Sequence, residues 1–308
     1  MTDLSVAPPI KASLSPLAKG VLFGIAAVLI WGSYLALARK GVSAGLTGVD
    51  FALIRYGTAG LVMLPWMIRH SIVTLGGVGW PRGLALALFA GPAFILFGVG
   101  GYAFAPLAHG AVFQPASVII VTTALAAFVL KDRPPMERVV GIGIMVIGLA
   151  VISGPALFAG SILTPVGDLM FVIAGALWAG FTILTRRWKI GAVQATGAVA
   201  VVSALAIIPF HLLTQDFSRI AALPVSSLVL QILVQGVLSG VVAVILFTRA
   251  AELIGAARSA IFPALVPAAA ILIGIPVTGE LPNTWQIAGL AFVSLGLFTS
   301  LGLFKRRT

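Results

Sequence analysis

Of 308 residues, 60% are hydrophobic and only 9% charged. A soluble domain of this length would carry roughly a quarter charged residues, and the mean hydropathy of +1.15 points to lipid as the solvent. The net charge of +11 excludes nucleic acid as a partner instead of inviting it, because the basic residues stand at the ends of apolar runs, as membrane topology requires. Cysteine is absent, which removes disulfides and thiolate metal chemistry.

A membrane crossing takes about 20 apolar residues. The apolar runs predict ten transmembrane helices at 18–38, 48–69, 82–105, 108–131, 136–155, 166–187, 191–213, 226–250, 255–279 and 283–303. Residues 1–17, with Pro8-Pro9 and Pro16, read as a disordered cytoplasmic tail, and 305–308 as a basic cytoplasmic tail. The first run follows Lys11 and Lys19 and ends near Ala36-Leu-Ala38, as a signal peptide would. It is too long for a signal core, however, and it recurs in the run ending at Thr185, so it reads as a retained helix.

Candidate functional residues follow in chain order. The first helix carries Trp31, Ser33 and Tyr34, which with Tyr102 of the third helix form an aromatic wall or an interfacial belt. Arg55 is the one charge well inside a span, which makes it a candidate for solute contact; bonding to carbonyls or snorkelling to headgroups is the competing reading. His109 lies in the turn before the fourth helix, as an interfacial polar group or a proton sensor, and His70 and His211 lie at helix ends. Within the fourth helix, Pro115 frees a carbonyl one turn earlier, as Pro263 does in the ninth; both are expected as hinges or packing kinks. Gln114 and Ser117 flank Pro115. Trp178 and Phe181 repeat the aromatic pattern in the sixth helix. Gln231, Gln235 and Ser239 share one face of the eighth, beside Gly236 and Gly240, where they line a cavity or join helices.

The chain also repeats itself. Pro115, Asp132, Pro134, Gly141 and Gly148 recur after 148 residues as Pro263, Glu280, Pro282, Gly289 and Gly296. At a shift of 147, Trp31-Gly-Ser-Tyr34 becomes Trp178-Ala-Gly-Phe181, and Arg39-Lys40 becomes Arg186-Arg187. Two five-helix repeats result, 18–155 and 156–304. Five is odd, so the second enters the membrane from the other side: the duplication is inverted. Lys and Arg put fifteen residues on the face of the two termini and three (Arg39, Lys40, Arg219) on the other, which places both termini in the cytoplasm. The glycine pairs, seven apart, read as close-packing seams.

The acids are eight, none deep in a helix: Asp50, Asp168 and Asp216 fall near the outer face, Asp132, Glu137 and Glu252 near the inner. Without a buried carboxylate, a cation/proton antiporter is disfavoured. No metal-ligand spacing, P-loop or nucleophile motif is present, so no enzyme activity and no cofactor are expected.

Five-plus-five helices, the tryptophan-small-small-aromatic stretch, Arg55 and the pattern of Pro263 followed by Glu280-Leu-Pro282 resemble the drug/metabolite transporter superfamily, its EamA-type branch most closely. Lys131-Asp132-Arg133 departs from the glycine-glutamate-arginine usual there. The resemblance implies a secondary transporter in a bacterial inner membrane, monomeric or homodimeric, whose substrate is amino-acid-like. Alternating access of two inverted repeats around one site would move a small neutral, zwitterionic or weakly anionic solute, with export the favoured direction. An integral-membrane lipid-modifying enzyme and a proton-coupled drug efflux protein are the rivals.

Overall fold

A backbone in lipid must satisfy its own hydrogen bonds, and the long apolar runs do so by coiling. A computed structural model describes residues 15–158, 162–259 and 261–302, and every regular element among them is helical. Among the described residues, nine helices are long and apolar enough to cross a bilayer: α1 (Pro16–Ser43), α2 (Gly48–Arg69), α3 (Trp80–Ala103), α4 (Leu107–Val129), α5 (Met136–Phe158), α6 (Leu163–Trp188), α7 (Ala192–Thr214), α8 (Val225–Ile254) and α9 (Ile261–Thr278). The tenth, α10 (Thr284–Ser300), has 17 residues, the lower limit of about 17 for a crossing.

Local chemistry sets the ends. Ser15 caps α1 by accepting from the Ala18 N–H at 3.2 Å, and Pro16 occupies the first turn, where its missing donor costs nothing. Reciprocal capping boxes start α2 (Thr47 with Asp50) and α10 (Asn283 with Gln286). Gly255, at φ +86°, ends α8.

Several expected boundaries move. Residues 16 and 17, assigned to a tail, already belong to α1; residues 1–14 and the tail at 305–308 lie outside the described residues. At its other end α1 continues to Ser43, so Arg39 and Lys40 ride on the helix instead of a loop. α3 is not continuous: it breaks at Gly91, and Pro92 restarts it. The segment 255–259, expected inside the ninth helix, forms a separate turn, and Pro263 falls in the first turn of α9. Pro267 and Pro276 are the prolines inside that helix, while Pro115 is inside α4 as expected.

Packing is exchanged between the halves. α1 packs on α8 and α9 of the second half, and α6 packs on α3 and α4 of the first. α2 and α3 lie on α7, and α5 runs along α10. The large apolar side chains left exposed, such as Leu61, Phe128, Leu213 and Leu272, form the lipid-facing surface. Ten crossings put the start of α1 and the end of α10 on one face, called here the terminal face; α1, α3, α5, α7 and α9 end on the opposite face.

Candidate functional site

The centre is built on irregular helix. α2 opens into a π-turn at Leu53–Gly57 and α8 into a longer π-segment at Ile232–Val242, and the two pack together. Such widened turns cost regular hydrogen bonding and concentrate at functional positions. Arg55 stands between them, 8% exposed. Its Nη1 donates to Ser239 Oγ at 3.0 Å and to the Gln235 carbonyl at 3.4 Å. The guanidinium lies over the Tyr34 ring at 5.0 Å and the Tyr56 ring at 5.9 Å. Among the described ion pairs, none brings a carboxylate to Arg55. A cation taken out of water with only dipoles and ring faces around it attracts an anionic group.

Tyr56 ties this centre to α3. Its hydroxyl donates to the Ala90 and Gly91 carbonyls at 2.5 and 3.0 Å, where the break in α3 frees acceptors. Gly91 is the repeat counterpart of Ser239, at a shift of 148. Consecutive residues of α2 therefore reach the irregular points of two repeat-related helices.

Beside Arg55 is a cavity of about 40 Å³, walled among others by Tyr56, Trp178, Phe181, Thr196 and Gly240. A water molecule needs about 10–15 Å³ of such space, so a few waters fit and a metabolite does not. Trp178 stacks obliquely on Phe94 and Phe181, with centroids 5.0 and 5.1 Å away. Of the residues singled out from sequence, Arg55, Trp178 and Phe181 thus meet at one cavity, and Tyr34 adjoins them through Arg55. Trp31 instead packs on Phe247 at 5.6 Å, and Ser33 is half-buried on α1. Gln235 faces inward but bonds helix to helix: its amide donates to the Tyr34 carbonyl and to Gln231 Oε1, both at 3.2 Å. Gln231 in turn donates to the Leu37 carbonyl at 2.8 Å.

Three of the candidates carry buried polar atoms with no hydrogen-bond partner among the described residues: Tyr34 Oη, Tyr102 Oη and Gln114 Oε1. Tyr102 is fully buried, 4.9 Å from Phe171, and its ring abuts Gly110, one helical turn before Gln114. Orphaned acceptors and donors inside a protein call for a ligand or water.

Sequence reasoning missed the acid–histidine pairs, because each forms across helices far apart in the chain. Asp168 and His109 meet at 2.7 Å, with Ser153 donating to the other carboxylate oxygen at 2.6 Å. Asp50 accepts from Arg219 Nε at 2.9 Å and meets His211 at 3.1 Å. Both acids lie near helix starts as expected, yet both are buried, and His109 is inside α4 instead of a turn. Outside the spans, the Ser218 hydroxyl and N–H donate to Asp216 and hold its carboxyl below the usual range. A larger hollow, about 420 Å³, opens on the opposite face among Arg39, Leu107, Ile271, Glu280 and Gln286, away from Arg55.

Two stretches of the chain, 18–154 and 165–302, match the EamA-like transporter family. The chain belongs to that family. This EamA-like transporter is thus a multi-pass membrane protein built from two repeats of one unit. It is 26% identical over 190 residues to the uncharacterized transporter YyaM of Bacillus subtilis (strain 168), a match covering 60% of this chain and 62% of that relative's length. One solved crystal structure superposes with a TM-score of 0.62 at 19% identity, covering 92% of this chain and 96% of its own, a likeness of fold alone.

Proposed function

We propose that this EamA-like transporter moves a small carboxylate-bearing metabolite, zwitterionic or weakly anionic, by alternating access at the Arg55 cavity. The observation that carries this reading is Arg55 itself: a buried guanidinium with no carboxylate partner among the described residues, set between the irregular segments of α2 and α8. A solute carboxylate supplies the missing charge, and guanidinium geometry accepts it through two donors. Trp178, Phe181 and Tyr34 give apolar and ring-face contact beside it, while Tyr102 and Gln114 are the further polar groups assigned to the path. The small cavity supports an occluded state, and alternation follows from two like halves rocking about one site. Fifteen basic residues against three support cytoplasmic termini and, for a bacterial chain, an inner-membrane location. Export of an amino-acid-like solute remains the reading of the family resemblance.

Purified protein in liposomes, offered labelled amino acids, their N-acyl derivatives and organic cations, tests the class. Carboxylate-bearing solutes should move and cations should not. Arg55→Ala should cut transport by about 100-fold, in line with losing one charge-assisted bidentate contact, with Arg55→Lys recovering part of it. Wild-type rates in Arg55→Ala, or cation selectivity, would sink the reading. Lipid modification without solute movement would restore the enzyme rival.

A further inference from the structure

Two ion pairs cross between the halves of the protein. Arg39, in the last turns of α1, pairs with Glu280 in the turn between α9 and α10 at 2.5 Å. Arg186, in the last turn of α6, pairs with Asp132 in the turn between α4 and α5 at 3.3 Å. The repeat relates them: Arg39 becomes Arg186 at a shift of 147, and Asp132 becomes Glu280 at a shift of 148. Each arginine ends the first helix of one half, and each acid sits in the fourth-to-fifth turn of the other half. The turns match in backbone as well, since the residue before each acid is left-handed, Lys131 at φ +57° and Gly279 at φ +76°. One pair lies on the opposite face and its counterpart on the terminal face.

Their states differ. The Arg39–Glu280 pair is drawn in, its side chains 22% and 29% exposed. Arg39 Nη1 also donates to the Tyr102 carbonyl at 2.5 Å, and Glu280 Oε2 accepts from the Leu107 N–H at 2.9 Å. The knot therefore binds α1, the end of α3, the start of α4 and the α9–α10 turn. Arg186 and Asp132 touch through a single contact, and each is 53% exposed. Water screens such a pair to near-negligible strength, whereas the half-buried knot is screened far less.

Other polar knots on the opposite face lack this relation. The positions matching Asp50 and Asp168 at a shift of 147 are Gly197 and Val21, and those matching His109 and His211 at 148 are Ala257 and Met63. A fastener that exists on one face only can hold helices together but cannot alternate.

We infer that Arg39–Glu280 and Arg186–Asp132 are the two alternating latches of the transport cycle, the first closed and the second loosened in this conformation. The inference rests on the alternating-access reading. Closing the terminal face would draw Arg186 and Asp132 into the tight arrangement now held by Arg39 and Glu280, as the latter pair parts. The four side chains are positioning residues: they set which face is open and do not touch the solute.

Because the chain has no cysteine, single-cysteine reporters give a clean test. Ala38→Cys and Thr185→Cys are repeat-related, each one residue before a latch arginine, and Ala38 is fully buried behind its latch. In oriented vesicles, a membrane-impermeant maleimide is applied to each face in turn. Glu280→Gln should raise labelling of the Ala38→Cys reporter by about fivefold, the low end for one coupling between sites, and lower that of the Thr185→Cys reporter. Asp132→Asn should do the reverse. Arg39→Gln reaches the same state as Glu280→Gln from the other partner, so a folding defect in one variant does not decide the outcome. Glu280→Asp, using the acid that the other half supplies, should keep the wild-type ratio. Unchanged labelling in Glu280→Gln and Arg39→Gln would overturn the latch and leave alternation standing. Each variant opening its own face without closing the other would overturn alternation itself, and the proposal with it.

Discussion

Arg55 stood out in the sequence because an arginine within an apolar run is costly, but its surroundings did not. Contact with a carbonyl and contact with a cavity looked like alternatives; the structure has both, since Nη1 holds Ser239 and the Gln235 carbonyl while the residue walls the cavity. Tyr56 is silent in the sequence, because a tyrosine in a helix carries no signal until the break in α3 exposes the carbonyls it binds. Gln235 was legible as inward-facing and as sharing a face with Gln231, yet its partner on α1, the Tyr34 carbonyl, is 201 positions away in the chain, which a helical face count cannot supply. The orphaned hydroxyls of Tyr34 and Tyr102 give a residue-level prediction. A buried polar group without a partner costs about 1–3 kcal/mol. Tyr34→Phe and Tyr102→Phe should therefore raise the melting temperature in detergent, or leave it unchanged, while raising KM for the transported solute several-fold. A fall in melting temperature would mean that the hydroxyl has a structural partner, and unaltered kinetics would remove that tyrosine from the path.

At the scale of elements, hydropathy carried most of the fold because a long apolar run in lipid satisfies its own backbone by coiling into a helix, and apolar length is directly visible in a sequence. The break at Gly91 and the π-segments of α2 and α8 were not visible: they depend on partners for freed backbone groups, which come from other helices. The glycine seam was visible, though not its pairing. A Cβ on Gly141 would stand 2.5 Å from the Gly296 carbonyl oxygen, and one on Gly296 would stand 2.6 Å from that of Gly141. Gly148 and Gly289 mirror them, at 2.9 and 2.7 Å from one another's carbonyl oxygens. α5 and α10 thus run antiparallel with backbone against backbone, where a carbonyl cannot swing aside as the neighbouring side chains can. Gly296→Ala should cost about 1–3 kcal/mol, the range for overpacking a filled interface. Gly143→Ala, with nothing within 4 Å of the added carbon, should be neutral or slightly stabilising. Thermal unfolding of the two variants in one detergent makes the comparison. Equal melting temperatures would show that the helices part freely.

For the whole molecule, the charge count on the two faces becomes more lopsided once the ion pairs are known. Of the three basic residues on the opposite face, Arg39 pairs with Glu280 and Arg219 with Asp50, which leaves Lys40, an exposed side chain, among the three. On the terminal face Arg186 and Arg249 meet acids only in exposed pairs. A basic residue that must cross the membrane during insertion is costly, and one destined for a half-buried acid recovers part of that cost on folding. The orientation should therefore be strongly fixed with both termini in the cytoplasm. A fluorescent protein that matures only in the cytoplasm should light up when fused after Thr308, and a periplasm-dependent phosphatase should be active when inserted at Gln215, in the α7–α8 connection. Lys40→Glu should change neither signal, because it removes a residue already on the minority side. A phosphatase signal from the C-terminal fusion would invert the assignment of faces. It would put the closed Arg39–Glu280 knot on the cytoplasmic side, so that the loosened Arg186–Asp132 pair would face the outside instead of the cytoplasm.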